Sequence, residues 1–124
     1  SEEHHRLVVD HLNEGIIVQA RDGVVLACNP SARRILRAST ELIGADILTV
    51  MVRAYHEDGS IVTEAGRPTS RVLASGKPLL GVTIGLELIG GDVIWITENV
   101  VPIIKPGDSE PSSVLISFTD IGPV

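Results

Sequence analysis

The sequence predicts an α+β domain, an antiparallel sheet with short helices packed on one of its faces. Three observations point there. An Asp-Gly turn near the start joins two β-branched runs, and three further runs rich in Val, Ile, Leu and Thr fill the last third. Between them lie two helix starts marked by proline. With 124 residues, 44% of them hydrophobic and 21% charged, the chain can bury one real core, and wholesale disorder is excluded.

The elements follow in order. Leu7, Val8 and Leu12 stand among polar and charged neighbours at spacings that give a short helix one narrow apolar face. Asn13-Glu14-Gly15 ends that helical segment, which spans 1–14. The runs 16–20 and 24–28, separated by Arg21-Asp22-Gly23, form a hairpin. Asn29 caps the next helix and Pro30 occupies its first position, where a missing N–H costs nothing; Ala32, Ile35 and Leu36 face inward and Arg33, Arg34 and Arg37 face water. Ser39-Thr40-Glu41-Leu42 opens another short helical turn closed by Gly44, and 47–52 is read as a third. Residues 55–66 form a polar loop with a brief extended piece at Ile61-Val62. A helix then runs from Pro68 to a stop at Gly76-Lys77-Pro78.

Residues 80–88, 93–103 and 113–121 have strand length, and the separators Gly90-Gly91-Asp92 and Lys105-Pro106-Gly107-Asp108 are turn chemistry. Strands joined by such short turns form an antiparallel meander, because parallel neighbours need a long crossover. Gly81 and Gly85 fall inside the first of these strands, where glycine marks a bulge or a close approach.

Composition excludes several functions. A net charge of −6 argues against binding a phosphate backbone, and only Tyr55, Trp95 and Phe118 are aromatic, too few to stack bases. Cys28 is the single cysteine, so it can form no intrachain disulfide; it reads as a small buried hydrophobe. No apolar run approaches the roughly 18–20 residues that span a bilayer, so a soluble, cytoplasmic domain without membrane contact is expected. No nucleophile elbow, zinc-protease motif or phosphate-cradling glycine run is present, so no catalytic residue is named and no enzyme is expected. His4, His5, His11 and His56 are scattered and make no metal site.

Several stretches together resemble the PAS domain family. They are Leu12-Asn13-Glu14-Gly15-Ile16, Asp22-Gly23, Cys28-Asn29-Pro30-Ser31-Ala32 and Leu42-Ile43-Gly44. Gly76-Lys77-Pro78, Gly91-Asp92-Val93-Ile94-Trp95 with Pro102, and Ser117-Phe118-Thr119-Asp120-Ile121 complete the set, in order, from about Leu7 to Ile121. The resemblance implies a five-stranded antiparallel sheet in the order 2-1-5-4-3 with helices over a small cavity. It also implies one PAS-like domain over 1–124, with a core at 15–121 and a tail at 122–124 leading to an output domain. Flavin of the light-sensing (LOV) type is excluded, because Ile47 stands where that chemistry needs a cysteine. Haem is disfavoured, because the helix from Pro68 to Ser75 holds no histidine. Any cofactor is otherwise left unknown.

Laying the last strands on the family by Trp95 and Pro102 turns Ile94, Ile96, Glu98 and Val100 toward the helices, with Leu80, Val82, Ile84 and Leu86 beside them. Val114, Ile116 and Phe118 complete that face, and the opposite face, with Trp95, Thr97, Asn99, Thr83, Glu87, Ser117 and Thr119, is mixed. The candidate pocket is Met51, Val72, Val82, Ile84, Ile96, Glu98, Val100, Ile116 and Phe118. Glu98 is its sharpest residue. It either fixes the polar end of a ligand or meets a buried arginine, or it sits at the rim against Arg71, Lys77 or solvent. Leu7, Val8, Leu12 and Trp95 are candidates for a homodimer interface, Trp95 alternatively packing under the N-terminal helix.

The resemblance thus implies a sensory module of a larger bacterial signalling protein, transcription regulation among its outputs. A small apolar or amphipathic ligand would bind in the cavity and the signal would leave through Asp120 and Ile121. The alternative is a ligand-free scaffold for homodimerisation or protein–protein contact.

Overall fold

A computed structural model describes residues 13–122. The N-terminal helical segment, with Leu7, Val8 and Leu12, lies outside the described residues, and Glu14 already belongs to a strand.

The elements are β1 (Glu14–Ala20), β2 (Val25–Cys28), α1 (Pro30–Ile35), a 3-10 turn (Ile47–Thr49), β3 (Met51–Tyr55), α2 (Pro68–Ser75), β4 (Leu79–Leu88), β5 (Val93–Ile103) and β6 (Ser113–Asp120). All six strands join one sheet in the order β2-β1-β6-β5-β4-β3, each neighbour antiparallel. The expected order is therefore kept, but the expected five strands become six, because Met51–Tyr55 pairs with the outer edge of β4. That segment reads poorly as a strand because its register shifts between Met51 and Arg53. Its buried residues, Met51 and Ala54, are consequently three apart rather than two.

Two further expectations are corrected beside it. Residues 39–44 form bends and a turn, not helix. Their backbone is spent on β2: the Gly44 N–H donates to the Val25 carbonyl at 2.7 Å, and the Val25 N–H donates to that of Ala45 at 2.9 Å. The reading of 47–52 as helix survives only as the 3-10 turn, which the Asp46 side chain caps by accepting from the Leu48 N–H.

Asn29 does more than cap α1. Its Oδ1 accepts from the Ala32 N–H at 2.9 Å and the Ile16 N–H at 2.8 Å, while its amide donates to the Glu14 carbonyl. One buried side chain thereby fastens the first helix to β1.

β5 alternates without a break, so Ile94, Ile96, Glu98 and Val100 are buried on the helix side. On β4 the expected inward Leu80 is instead 67% exposed. A bulge between Leu79 and Val82 puts Leu79 opposite Val100 and Val82 opposite Glu98, so that Leu80 and Gly81 together face the single residue Asn99. Gly81 takes φ 66°, a left-handed conformation that other residues adopt at a cost. The core lies between this sheet face and the helical segments, built from aliphatic residues such as Ile17, Val25, Leu36, Leu42, Val72, Ile84, Val100 and Val114, with Phe118 as its aromatic member.

Candidate functional site

Over the inner face of the sheet, beneath α2 and the 3-10 turn, the chain forms a half-open cavity of about 200 Å³. Its floor is apolar: Ile17 from β1, Ile84 and Leu86 from β4, Ile96 from β5 and Ile116 with Phe118 from β6. Met51 and Ala54 close one side, and Pro68, Thr69, Ser70 and Leu73 of α2 form the roof. Charged side chains gather where exposed residues line it, namely Arg21, Asp22 and Glu64. A space of this size is below the 300 Å³ or so at which drug-sized sites begin.

Each wall has a local cause. Gly15 sits opposite Phe118 in the β1–β6 ladder, and a Cβ on it would lie 2.5 Å from the phenyl ring. Only glycine lets that ring lie flat on β1 and turn its other side to the cavity. Arg21, in the β1–β2 turn, donates to the Pro111 carbonyl through Nε at 3.2 Å and Nη2 at 2.7 Å, and to the Leu73 carbonyl at 3.3 Å. It thereby links the hairpin and the approach to β6 to α2 across the rim.

Two buried polar side chains break the aliphatic lining. Glu98 is 7% exposed, flanked across the ladders by Val82 and Phe118 and along its strand by Ile96 and Val100. Its carboxyl forms no hydrogen bond or ion pair with another described residue, and burial alone pushes its pKa up to about 7. Gln19 of β1 is equally buried and lines the same space. From strand geometry the two backbones lie roughly 16 Å apart, Gln19 two strands over and four residues along. At α2, Arg67 stands at the cap position without a side-chain capping bond, and its Nε is buried with no partner among the described residues.

Of the candidate pocket residues, Met51, Ile84, Ile96, Glu98, Ile116 and Phe118 meet at the cavity. Val72 and Val100 are fully buried in the core away from it, and Val82 is half-buried beside Glu98 without lining it. Gln19, Arg67 and Arg21 were not among the candidates. The alternation Gly15, Ile17, Gln19 signals that Gln19 shares the inner face, whereas nothing local in the sequence sets Arg67 apart.

Trp95 is half-buried on the outer face, its ring over Gly85, where a Cβ would stand 3.1 Å from it. Asp120 ends β6, and the Ile121 N–H is held by the Trp95 carbonyl at 2.9 Å. Arg71 and Lys77 are exposed, and neither pairs with Glu98. Cys28 is half-buried, and burial pushes its thiol up. Among the described residues no cluster of three or more His, Cys, Asp or Glu could hold a metal, and no helix is long and apolar enough to cross a membrane.

A family model described as the PAS fold matches residues 3–121. The chain is similar to the PAS domain of nitrogen regulation protein NR(II) from Vibrio parahaemolyticus, with a TM-score of 0.71 and 13% identity over 92% of this chain and 94% of that one. It is similar also to the PAS domain of a protein from Colwellia psychrerythraea, with a TM-score of 0.71 and 19% identity over 98% and 97%. A third relative is the PAS domain, in complex with ethanol, of a LuxR-family transcriptional regulator from Burkholderia thailandensis, at 0.60 and 18% over 90% and 92%. Among curated proteins no sequence match is found. At these identities the solved structures speak for the fold.

Proposed function

The chain belongs to the PAS family, and on that premise we propose that it is a sensory module of a signalling protein. The cavity over the inner sheet face takes up a small amphipathic molecule. Occupancy then favours one arrangement of sheet and helices over another, by no more than the ligand's differential affinity for the two. The route outward is the end of β6, where Asp120 and Ile121 meet the start of β5 through the Trp95 carbonyl. The observation that carries the reading is Glu98, a buried carboxyl at an aliphatic cavity with no partner among the described residues. A group left so costs stability unless something supplies the missing hydrogen bond.

A native mass spectrum of the gently purified domain tests this. We expect extra mass that disappears on denaturation, and its loss in Ile96→Trp, whose indole would fill the cavity floor. A second variant, Ile84→Phe, covers the case in which the tryptophan unfolds the chain. Bare protein in wild type, together with no thermal shift after soaking with small alcohols and carboxylates, would sink the reading.

A further inference from the structure

Two of the polar groups of the cavity are of opposite character. Glu98 offers acceptor oxygens to which no described residue donates, and Arg67 holds a buried Nε–H that no described residue accepts. They do not satisfy each other: the ion pairs of the described residues are Arg37–Asp92 and Arg53–Glu87, both elsewhere. The neighbouring charges are already committed. Arg21 donates to the Pro111 and Leu73 carbonyls, Asp22 accepts from the Val24 N–H, and Asp46 accepts from the Leu48 N–H. Glu64 is exposed to water. A purely apolar guest would fill the floor and leave both groups unsatisfied, and a simple alcohol or acid would satisfy one of them.

Resting on the reading of the cavity as a ligand site, we propose that its ligand is a short aliphatic molecule polar at both ends. A carboxylate meets Arg67, a hydroxyl or amine donates to Glu98, and the methylene chain lies on Ile17, Ile96 and Ile116. The cavity volume of about 200 Å³ keeps the class to small acids rather than long lipid chains.

Calorimetric titration with ω-hydroxycarboxylates, from butyrate to octanoate in length, tests this against plain carboxylates and alcohols of matched length. We expect one ω-hydroxycarboxylate to bind at least about tenfold more tightly than either singly polar partner. Arg67→Met then removes the advantage over the alcohol, and Glu98→Leu removes the advantage over the plain carboxylate, with circular dichroism confirming that each variant folds. The wild-type comparison stands without either variant. An ω-amino series separates the two donors, and a comparable preference there supports the same site.

Equal binding of singly and doubly polar compounds overturns the inference while leaving the ligand-site reading intact, provided Ile96→Trp still blocks them. An unchanged preference in Arg67→Met overturns it as well. Absence of binding across the whole series does the same, and the native mass spectrum then decides separately whether the cavity holds any other ligand.

Discussion

Glu98 and Asn99 are consecutive in β5 and look out from opposite faces of the sheet. Asn99, on the outer face, accepts from the Gly81 N–H at 2.8 Å, and its amide donates to the Ser117 hydroxyl at 3.4 Å. Glu98, on the inner face, has aliphatic and aromatic neighbours and no partner among the described residues. The same contrast runs through both faces. Outside, Tyr55 donates to Glu87, which also lies near Arg53. Inside, Glu98, Gln19 and Arg67 line one cavity, and no described residue accepts from the Arg67 Nε. A face that satisfies its polar groups internally is finished by folding, whereas one that buries them open has room for something folding does not provide.

The largest test of the contrast replaces Glu98 by glutamine, which keeps shape and removes charge. Burial raises the folded-state pKa from 4.5 to about 7, so the folded chain holds its proton more tightly than the unfolded chain. The contribution of Glu98 to stability is therefore greatest at or below the unfolded value. It falls as pH rises from there to about 7, and stays low above it. Denaturant titrations should find Glu98→Gln equal to wild type near pH 4 and more stable by about 3 kcal/mol near pH 8. No ion pair of the described residues involves Glu98, so added salt should leave the difference in place. A variant no more stable than wild type in alkaline buffer would mean that the carboxyl reaches water or a cation, and the two faces would cease to differ.

How much of this contrast was readable beforehand depends on whether a strand keeps its period. β5 does, and its inward set, Glu98 included, follows from alternation once one residue is placed. β4 does not, because the bulge at Leu80-Gly81 shifts the register and sends Leu80 to solvent in place of Leu79. β3 hides for the same reason, its irregular pairing masking the alternation. Residues 39–44 mislead differently: Glu41 looks like part of a helix start, yet its carboxylate accepts from the neighbouring Leu42 and Ile43 N–H groups in an open bend. The sharpest loss is Arg67, whose part in the site arises only when α2 closes over the sheet.

The bulge gives the second test, because it determines which β4 side chains reach the inner face and supplies the N–H that Asn99 accepts. A Cβ on Gly81 would meet nothing within 4 Å, so any cost of Gly81→Ala comes from its φ of 66° alone. We expect Gly81→Ala to lose roughly 1–2 kcal/mol in chemical denaturation, and Gly81→Asn to lose less, because asparagine tolerates the left-handed region. Equal losses for the two would point to a register change. That change would show as protection of the Leu80 amide from hydrogen exchange.

The smallest test lies on the outer face itself. Asn99→Ala removes two partly exposed hydrogen bonds, and water can reach the Gly81 N–H left behind. The expected loss is about 1 kcal/mol or less, and it should be the same in acid and in alkaline buffer, since no titrating group takes part. Paired with Glu98→Gln in one series, this variant should move stability by a small, pH-independent decrement, where its neighbour gives a larger, pH-dependent gain. Two adjacent substitutions of opposite sign would establish that satisfaction by partners, rather than position along β5, divides the two faces. If Asn99→Ala instead cost several kcal/mol, the outer face would be holding the bulge in place, and the open polar groups of the cavity would depend on a bond made on the other side of the sheet.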